Sequence, residues 1–371
     1  MNTEHDGQDK RTILTLDAGG TNFVFSAMQG HQEVVSPIRK PAFADDLDRS
    51  LETVIKGFEE VKGLLSEKPA AISFAFPGPA DYQKGIIGDL PNLKAFKGGV
   101  PLGPMLEDHF GCPVFINNDG NLFAYGEAIA GYLPWLNEQL KQAGNPTRYA
   151  NLIGFTLGTG FGSGFVMGDT MFLGQHSGGA EIHNTLNAFD PSLNAEEGVS
   201  TRAIQYVYAE KARLPYSGSL MPEEIYNIAR GKAEGAQDAA LESFRSFGRS
   251  LGNSIANTLS LFDGIVVLGG GITAAWDLFA PFMFEEIDRP YLDLWGNPSP
   301  RLSYKVYNLE DEGLMKKFAG GTEKELVVPG SGRKVLYDGY PRTGVARSRL
   351  GASKATALGA YAFALHQLDE V

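Results

Sequence analysis

The 371-residue sequence holds one cysteine, Cys112, which excludes an intramolecular disulfide and any structural zinc site built on several cysteines. It has no apolar run of the length a bilayer span requires, and the polar stretch 1–11 lacks the apolar segment of a secretory signal. Positive charge is scarce: 32 Lys and Arg face 44 Asp and Glu, a net charge of −12. Gripping nucleic acid through its phosphates takes basic surface, so the balance argues against that role. A local anion site stays open, because backbone N–H groups and a metal ion can hold phosphates with few basic side chains. The expectation is a cytoplasmic protein without nucleic-acid or membrane partners.

What the sequence has in quantity is glycine, 46 residues, much of it clustered beside apolar runs. That pattern suits backbone turns that approach a ligand closely. At 371 residues the chain exceeds one ordinary core, so two domains are expected. Its 43% hydrophobic and 20% charged residues are those of a globular protein.

Residues 12–16 read as a buried strand, Asp17-Ala18-Gly19-Gly20-Thr21 as a turn, and 23–28 as a second strand ending at the turn Gln29-Gly30. Helical spacing covers 46–66, with Leu47, Leu51, Val54, Phe58 and Val61 on one face. A strand at 70–76 closes on Pro77-Gly78-Pro79, a helix covers 102–110, and a strand at 113–117 stops at Asn118-Asp119 before a helix at 121–130. The order strand, glycine turn, strand, tight turn then recurs at 152–157, 158–164, 165–167 and Gly168-Asp169, which we read as an internal duplication with one copy per domain. Helices follow at 200–213, 222–231 and 236–261, then a strand at 264–268, Gly269-Gly270-Gly271, and a helix at 274–284. The pattern loosens over 301–349, where 326–337 reads as a hairpin, and 354–368 closes as a small-residue helix. Alternating strands and helices with hairpins opening each half indicate α/β architecture with mixed sheets.

Three glycine turns follow apolar strands. Gly19-Gly20-Thr21 and Gly158-Thr159-Gly160 sit at hairpin tips, where backbone N–H groups can point at phosphate oxygens. Gly269-Gly270-Gly271 precedes a helix, so a flat nucleoside could lie against it. Asp17, at a strand end, can hold Mg²⁺ through water or cap its own turn. Asp119 ends a buried strand as a helix begins; it is either a base for phosphoryl transfer or a helix N-cap. Asn92 can donate to and accept from sugar hydroxyls, or merely stand in a turn. Glu181 and His183 form a polar cluster suited to hydroxyls, and Glu196 and Glu197 stand where acids commonly open a helix.

In their order these motifs resemble the ROK family of sugar kinases and repressors, within the actin/hexokinase/Hsp70 superfamily. Leu16-Asp-Ala-Gly-Gly-Thr21 resembles its first phosphate motif and Leu157-Gly-Thr-Gly160 its second. Phe76-Pro-Gly-Pro79 and Leu90-Pro-Asn-Leu93 resemble its sugar-side loops. Asn117-Asn-Asp-Gly-Asn121, with Glu127 and Gly131 beyond, is similar to its catalytic segment, and Val266-Val-Leu-Gly-Gly-Gly-Ile272 to its adenosine motif. The resemblance implies two ribonuclease H-like (actin-like ATPase) domains with an interdomain cleft: 1–130, completed by 354–371, on the sugar side, and 131–353, with a β insertion at 301–349, on the nucleotide side. It implies ATP with Mg²⁺ on Asp17, Asp119 as base, and Gly78, Asn92, Asn118, Glu181, His183 and Glu196 on a hexose or N-acetylhexosamine. Dimers are common in such kinases. Two departures stand out. The family's histidine three residues after the glutamate is here Asn184, with His183 one place early, and 187–197 replaces its cysteine-rich zinc segment, so no zinc is expected.

Three other readings are weighed. A repressor of the same family needs a DNA-binding domain before the first motif, and only about ten residues precede Thr12. A non-catalytic sugar sensor would keep the fold without the chemistry. A dinucleotide-dependent dehydrogenase needs a helix after its glycine turn, and 158–164 leads into a strand.

Overall fold

The computed structural model describes residues 7–90, 93–321, 323–338 and 341–370. In chain order its main elements begin with β1 (Ile13–Ala18), β2 (Asn22–Gln29), β3 (Gln32–Pro41), α1 (Leu47–Gly63), β4 (Ala71–Ala75), α2 (Leu102–Phe110), β5 (Val114–Asn117), α3 (Asp119–Ile129) and α4 (Tyr132–Gln142). They continue with β6 (Asn151–Leu157), β7 (Phe161–Met167), β8 (Thr170–Met171), α5 (Thr201–Ala212), α6 (Pro222–Ala229), α7 (Gln237–Leu259), β9 (Ile265–Gly269) and α8 (Trp276–Ile287). The last are β10 (Lys305–Asn308), α9 (Glu312–Gly320), β11 (Glu323–Val327), β12 (Lys334–Asp338), β13 (Arg342–Arg347) and α10 (Ala352–Asp369). The chain divides into two compact units, one of Met1–Pro134, Gly164–Ala180 and Arg349–Val371, the other of Trp135–Ser163 and Glu181–Ser348. Among the described residues no helix is long and apolar enough to cross a membrane.

In the first unit the sheet runs β3-β2-β1-β4-β5. β1 is antiparallel to β2 and parallel to β4, which is parallel to β5. β1 is buried from Ile13 to Leu16 because both its faces are covered. Leu14 and Leu16 join a core with Phe25, Phe58, Phe74 and Leu106, on the side of α1 and α2. Ile13 joins Met28, Ala71, Leu358, Tyr361 and Leu365, on the side of α10. Asp46 caps α1 by accepting from the Arg49 N–H at 3.1 Å, and Phe58 of that helix meets Phe25 edge-on with centroids 5.2 Å apart. Emptying that fully buried position costs about 3–5 kcal/mol by the usual cavity penalty.

β3 and α4, like β8, β10, α9 and β13, escape the sequence. β3 is an edge strand with one buried residue, Val35, and it carries Pro37 and Pro41, which only an edge tolerates. It therefore has no apolar alternation to read. α4 has the period, with Tyr132, Leu133, Leu136 and Leu140 buried, but Pro134 reads as a breaker although it stands in the first turn, where proline is accepted.

The second large sheet runs β8-β7-β6-β9-β13-β10, with β6, β9, β13 and β10 mutually parallel. Two expectations are corrected here. The glycine turn is shorter than 158–164: β7 begins at Phe161, and Gly164 lies inside it. A Cβ at Gly164 would collide with the Gly120 carbonyl oxygen and the Asn121 Cα, so this glycine serves close packing against the start of α3 rather than a turn. Nor is 301–349 an insertion throughout. β10 and β13 are strands of the sheet, while the antiparallel hairpin β11–β12, with Val327 opposite Lys334, matches the one expected at 326–337. The segment expected as helix from 274 opens as a 3₁₀ turn, Gly271–Ala275, before α8 takes over.

Candidate active site

In the first unit the three parallel strands end level. Asp17 is in register with Ala75, and Ala75 with Asn117. Neighbouring strands lie about 4.8 Å apart, so Asp17 and Asn117 stand roughly 10 Å apart across the sheet. The loops that follow carry Gly19-Gly20-Thr21, Gly78 and Asn118-Asp119. Ligands of open α/β sheets bind at such carboxyl ends. Asp17, Gly19, Gly20 and Thr21 are exposed, and the tip is closed by the Gly19 N–H on the Asn22 carbonyl at 3.1 Å. Gly78 lies in a braced loop: Tyr82 Oη donates to the Phe76 carbonyl at 2.9 Å, and the Gly88 N–H donates to the Pro79 carbonyl at 2.8 Å. Asn92 lies outside the described residues.

Asn118, not Asp119, caps α3, its Oδ1 accepting from the Gly120 N–H at 2.8 Å. That leaves the Asn118 amide nitrogen as the donor it can offer a ligand. Asp119 is the first helical residue and is exposed, with its Oδ1 2.9 Å from the Gly120 nitrogen. Asn117, which the sequence offers only as part of the Asn117–Asn121 segment, fixes the corner. It is 1% exposed, and its Oδ1 accepts from the Asn118 N–H at 2.8 Å and from Asn121 Nδ2 at 3.2 Å. The asparagine spacing was the available signal. Glu127, fully buried on α3, accepts from the Tyr132 N–H at 2.7 Å and the Leu350 N–H at 3.2 Å, so it ties α3 to the start of α4 and to the turn before α10 rather than serving a ligand.

In the second unit two glycine turns meet. Gly269 ends β9 opposite Thr156 of β6. Gly270 has φ +95°, and a Cβ there would collide with the Leu157 carbonyl, one residue before Gly158. Gly158 and Gly271 have nothing within 4 Å of a would-be Cβ, so their faces are open. The turn Gly158-Thr159-Gly160 is tied to the start of α5, where the Thr201 N–H and Oγ1 donate to the Gly158 carbonyl at 2.8 and 3.0 Å.

Polar side chains reach this turn from the segment before α5. Glu196 Oε2 accepts from the Phe161 N–H at 3.0 Å, and its Oε1 takes Arg202 Nη2 at 2.7 Å. Arg202 also holds Glu197 at 2.6 Å, which keeps the Glu197 carboxyl below and the guanidinium above their ordinary ranges. His183 Nδ1 lies 2.9 Å from Glu181 Oε2. That hydrogen bond raises the His183 pKa above its usual 6.5 against the opposing effect of burial, with the charges of Glu181 and Glu196 adding to it. Glu181, His183 and Glu196 thus share one electrostatic neighbourhood. Asn184 is exposed beside them.

The stretch in place of the family's zinc segment closes on itself. The Ala195 N–H donates to the Thr185 carbonyl at 2.7 Å, and the Asn187 N–H to the Leu193 carbonyl at 3.1 Å. Asn187 Oδ1 accepts from the Phe189 N–H at 3.0 Å, and Asp190 Oδ1 from Ser192 Oγ at 2.6 Å. Backbone and short polar side chains supply the crosslinks of this loop.

The sequence profile of the ROK family matches residues 13–293. A solved glucokinase from Parabacteroides distasonis is 46% identical, covers 97% of this chain and 99% of its own, and superposes with a TM-score of 0.89. A glucokinase from Thermotoga maritima is 26% identical over 75% of this chain and 88% of its own length. An N-acetyl-D-glucosamine kinase from Vibrio cholerae is 29% identical over 70% of this chain and 83% of its own.

Proposed function

The chain belongs to the ROK family, and from that premise we propose that it transfers the γ-phosphoryl group of ATP to a hydroxyl of a hexose or N-acetylhexosamine, with Asp119 as the base. The observation that carries the reading is Asp119 itself: an exposed carboxylate on the first residue of a buried helix, at a strand-to-helix corner that Asn117 and Asn118 shape by hydrogen bonds to the neighbouring backbone. The sugar oxygen attacks the γ-phosphorus as its proton passes to the Asp119 carboxylate, the bond to the β,γ-bridging oxygen breaks, and ADP leaves. Positioning and charge stabilisation supply most of the acceleration in phosphoryl transfer, with the base adding roughly 10²–10⁴-fold.

Gly19 to Thr21 and Gly158 to Gly160 are assigned to the phosphates, and Gly269 to Gly271 to the nucleoside. Asn118, Gly78, Asn92, Glu181 and His183 are assigned to the sugar. Glu196 already holds two protein donors, so its part is to couple the second phosphate turn to that set. Asp17 fits Mg²⁺ as a lone exposed carboxylate beside a phosphate turn, since this ion keeps most of its waters. The ion, when bound, neutralises phosphate charge. Use of ATP points to the cytoplasm, and we take a homodimer as the working assembly, to be checked by light scattering.

The test is ATP-dependent phosphorylation of a panel containing glucose, mannose, N-acetylglucosamine and N-acetylmannosamine, with product position read by NMR. At least one acceptor is expected to turn over. A chain that binds these sugars and phosphorylates none would instead be the non-catalytic sensor.

A further inference from the structure

Behind the strand that leads to Asp119, the first unit contains a cavity of about 360 Å³ that the proposed reaction does not use. One wall is β5, the edge strand of its sheet. Another is one side of the C-terminal end of α10, made by Phe363, His366 and Gln367 with Glu370 at the cap just beyond. A helix face turned to a core would be apolar; three of these four residues are polar. Residues 169–171 close the cavity from a third side.

The chemistry of the lining is selective. Phe363 meets Phe115 and Tyr125 edge-on, with centroids 6.1 and 6.4 Å away, so three rings gather in the wall. Asp169 is exposed, and Glu370 is held by His366 Nε2 at 3.2 Å and Gln367 Nε2 at 2.9 Å. The lining residues include no Lys or Arg. Aromatic faces and carboxylates both attract positive charge, and together they repel the anions of the proposed reaction, ATP and sugar phosphates alike. At about 30 Å³ per water the space equals roughly a dozen waters, the low end of ligand pockets.

We propose that this cavity is a second binding site, for a small organic cation of roughly ten to fifteen non-hydrogen atoms with an apolar or aromatic body. Its occupant would rest against the strand whose Asn117 orients Asn118 and Asp119.

Calorimetric titration of the full chain with benzyltrimethylammonium, neutral benzyl alcohol and anionic phenylacetate tests this. The cation should saturate one site per chain at least about tenfold more tightly than either analogue, a difference of about 1.4 kcal/mol. Asp169→Asn should weaken it severalfold and Phe363→Ala should abolish it, while saturating glucose and a non-hydrolysable ATP analogue leave it bound. Asp169 is exposed, so its variant decides the matter if Phe363→Ala does not fold. No saturable heat up to about 10 mM, equal affinity for the three probes, displacement by glucose, or an unchanged Asp169→Asn isotherm would each overturn the proposal. None of these readings depends on turnover, so they stand apart from the kinase assignment.

Discussion

The two large sheets follow one plan and finish it differently. Each lists its third, second, first and fourth strands in that order, and each opens with a hairpin whose tip holds glycine. In the first, the parallel strands run out into side-chain chemistry: Asp17 at the end of β1, Asn117 at the end of β5, and Asn118 and Asp119 just beyond it. In the second they run out into bare backbone: Gly158 after β6, and Gly269 at the end of β9 with Gly270-Gly271 beyond it. The carboxylates near that second edge come from the loop before α5 instead. One topology can thus serve an acceptor that must be deprotonated and a donor that need only be cradled, because a strand end accepts either a functional side chain or none.

The largest expected effect breaks the first half of that comparison. Asp119→Asn keeps the volume and the helix start but removes the proposed base, and kcat should fall about 10²–10⁴-fold while nucleotide affinity holds. Turnover within a factor of about three of the parent in a steady-state assay would move the base elsewhere. The next effect sharpens the second half, where two glycines should behave oppositely. Gly270→Ala forces a side chain into φ +95° and into the Leu157 carbonyl, and should cost about 3 kcal/mol or more in urea denaturation. Gly158→Ala adds a methyl to open space, so stability should change by less than about 0.5 kcal/mol while the KM for ATP rises about tenfold. A Gly158→Ala protein with unaltered KM would leave that turn a turn.

That contrast also explains what could be read in advance. Strands buried on both faces, such as β1, β4, β6 and β9, are continuous apolar runs, and they stood within a residue or two of where they were expected. The edge strand β3 buries one side chain and left no trace. Asp119 draws notice in the sequence because an acid stands at the end of Val-Phe-Ile-Asn-Asn where a helix begins, although an N-cap would read alike. The capping by Asn118 was not legible, because Asn and Asp are equally good N-caps and only coordinates tell neighbours apart. Gly164 was misassigned because a glycine that admits another chain segment has the same letter as one that turns, and its neighbour at Gly120 is remote in sequence. The coupling of Glu196 to the Phe161 N–H was hidden for the same reason.

Arg202 tests whether the loop before α5 substitutes for the strand-end side chains that the second sheet lacks. It holds Glu196 and Glu197 together while itself partly exposed. Exposed ion pairs are worth under about 1 kcal/mol, so Arg202→Gln should barely change stability. If the loop positions the sugar-side carboxylates, the KM for sugar should rise severalfold with kcat nearly kept. A fall in kcat at unchanged KM would assign Arg202 to the transferring phosphate instead.

The smallest effect concerns His183. Its hydrogen bond to Glu181 favours the imidazolium, so its folded pKa lies above the ordinary 6.5. A group with a raised folded pKa contributes fully below its unfolded value and loses that contribution as pH climbs through the folded one. The pair therefore stabilises the protein below about pH 6.5, and the benefit fades at higher pH. Both partners are about a third exposed, at 31% and 39%, so the gain is under about 1 kcal/mol. Urea midpoints of the parent and of His183→Gln, taken near pH 6 and near pH 8.5, should differ more at the lower pH. A gap that stays constant would mean that folding leaves the imidazole's pKa where it was, so that the contact with Glu181 does not favour the charged form. The sugar KM over the same range then separates two uses of Glu181. If the carboxylate accepts a sugar hydroxyl while paired, loss of the imidazolium frees it to reorient and the KM shifts with the same midpoint; if it serves the loop alone, only the stability moves.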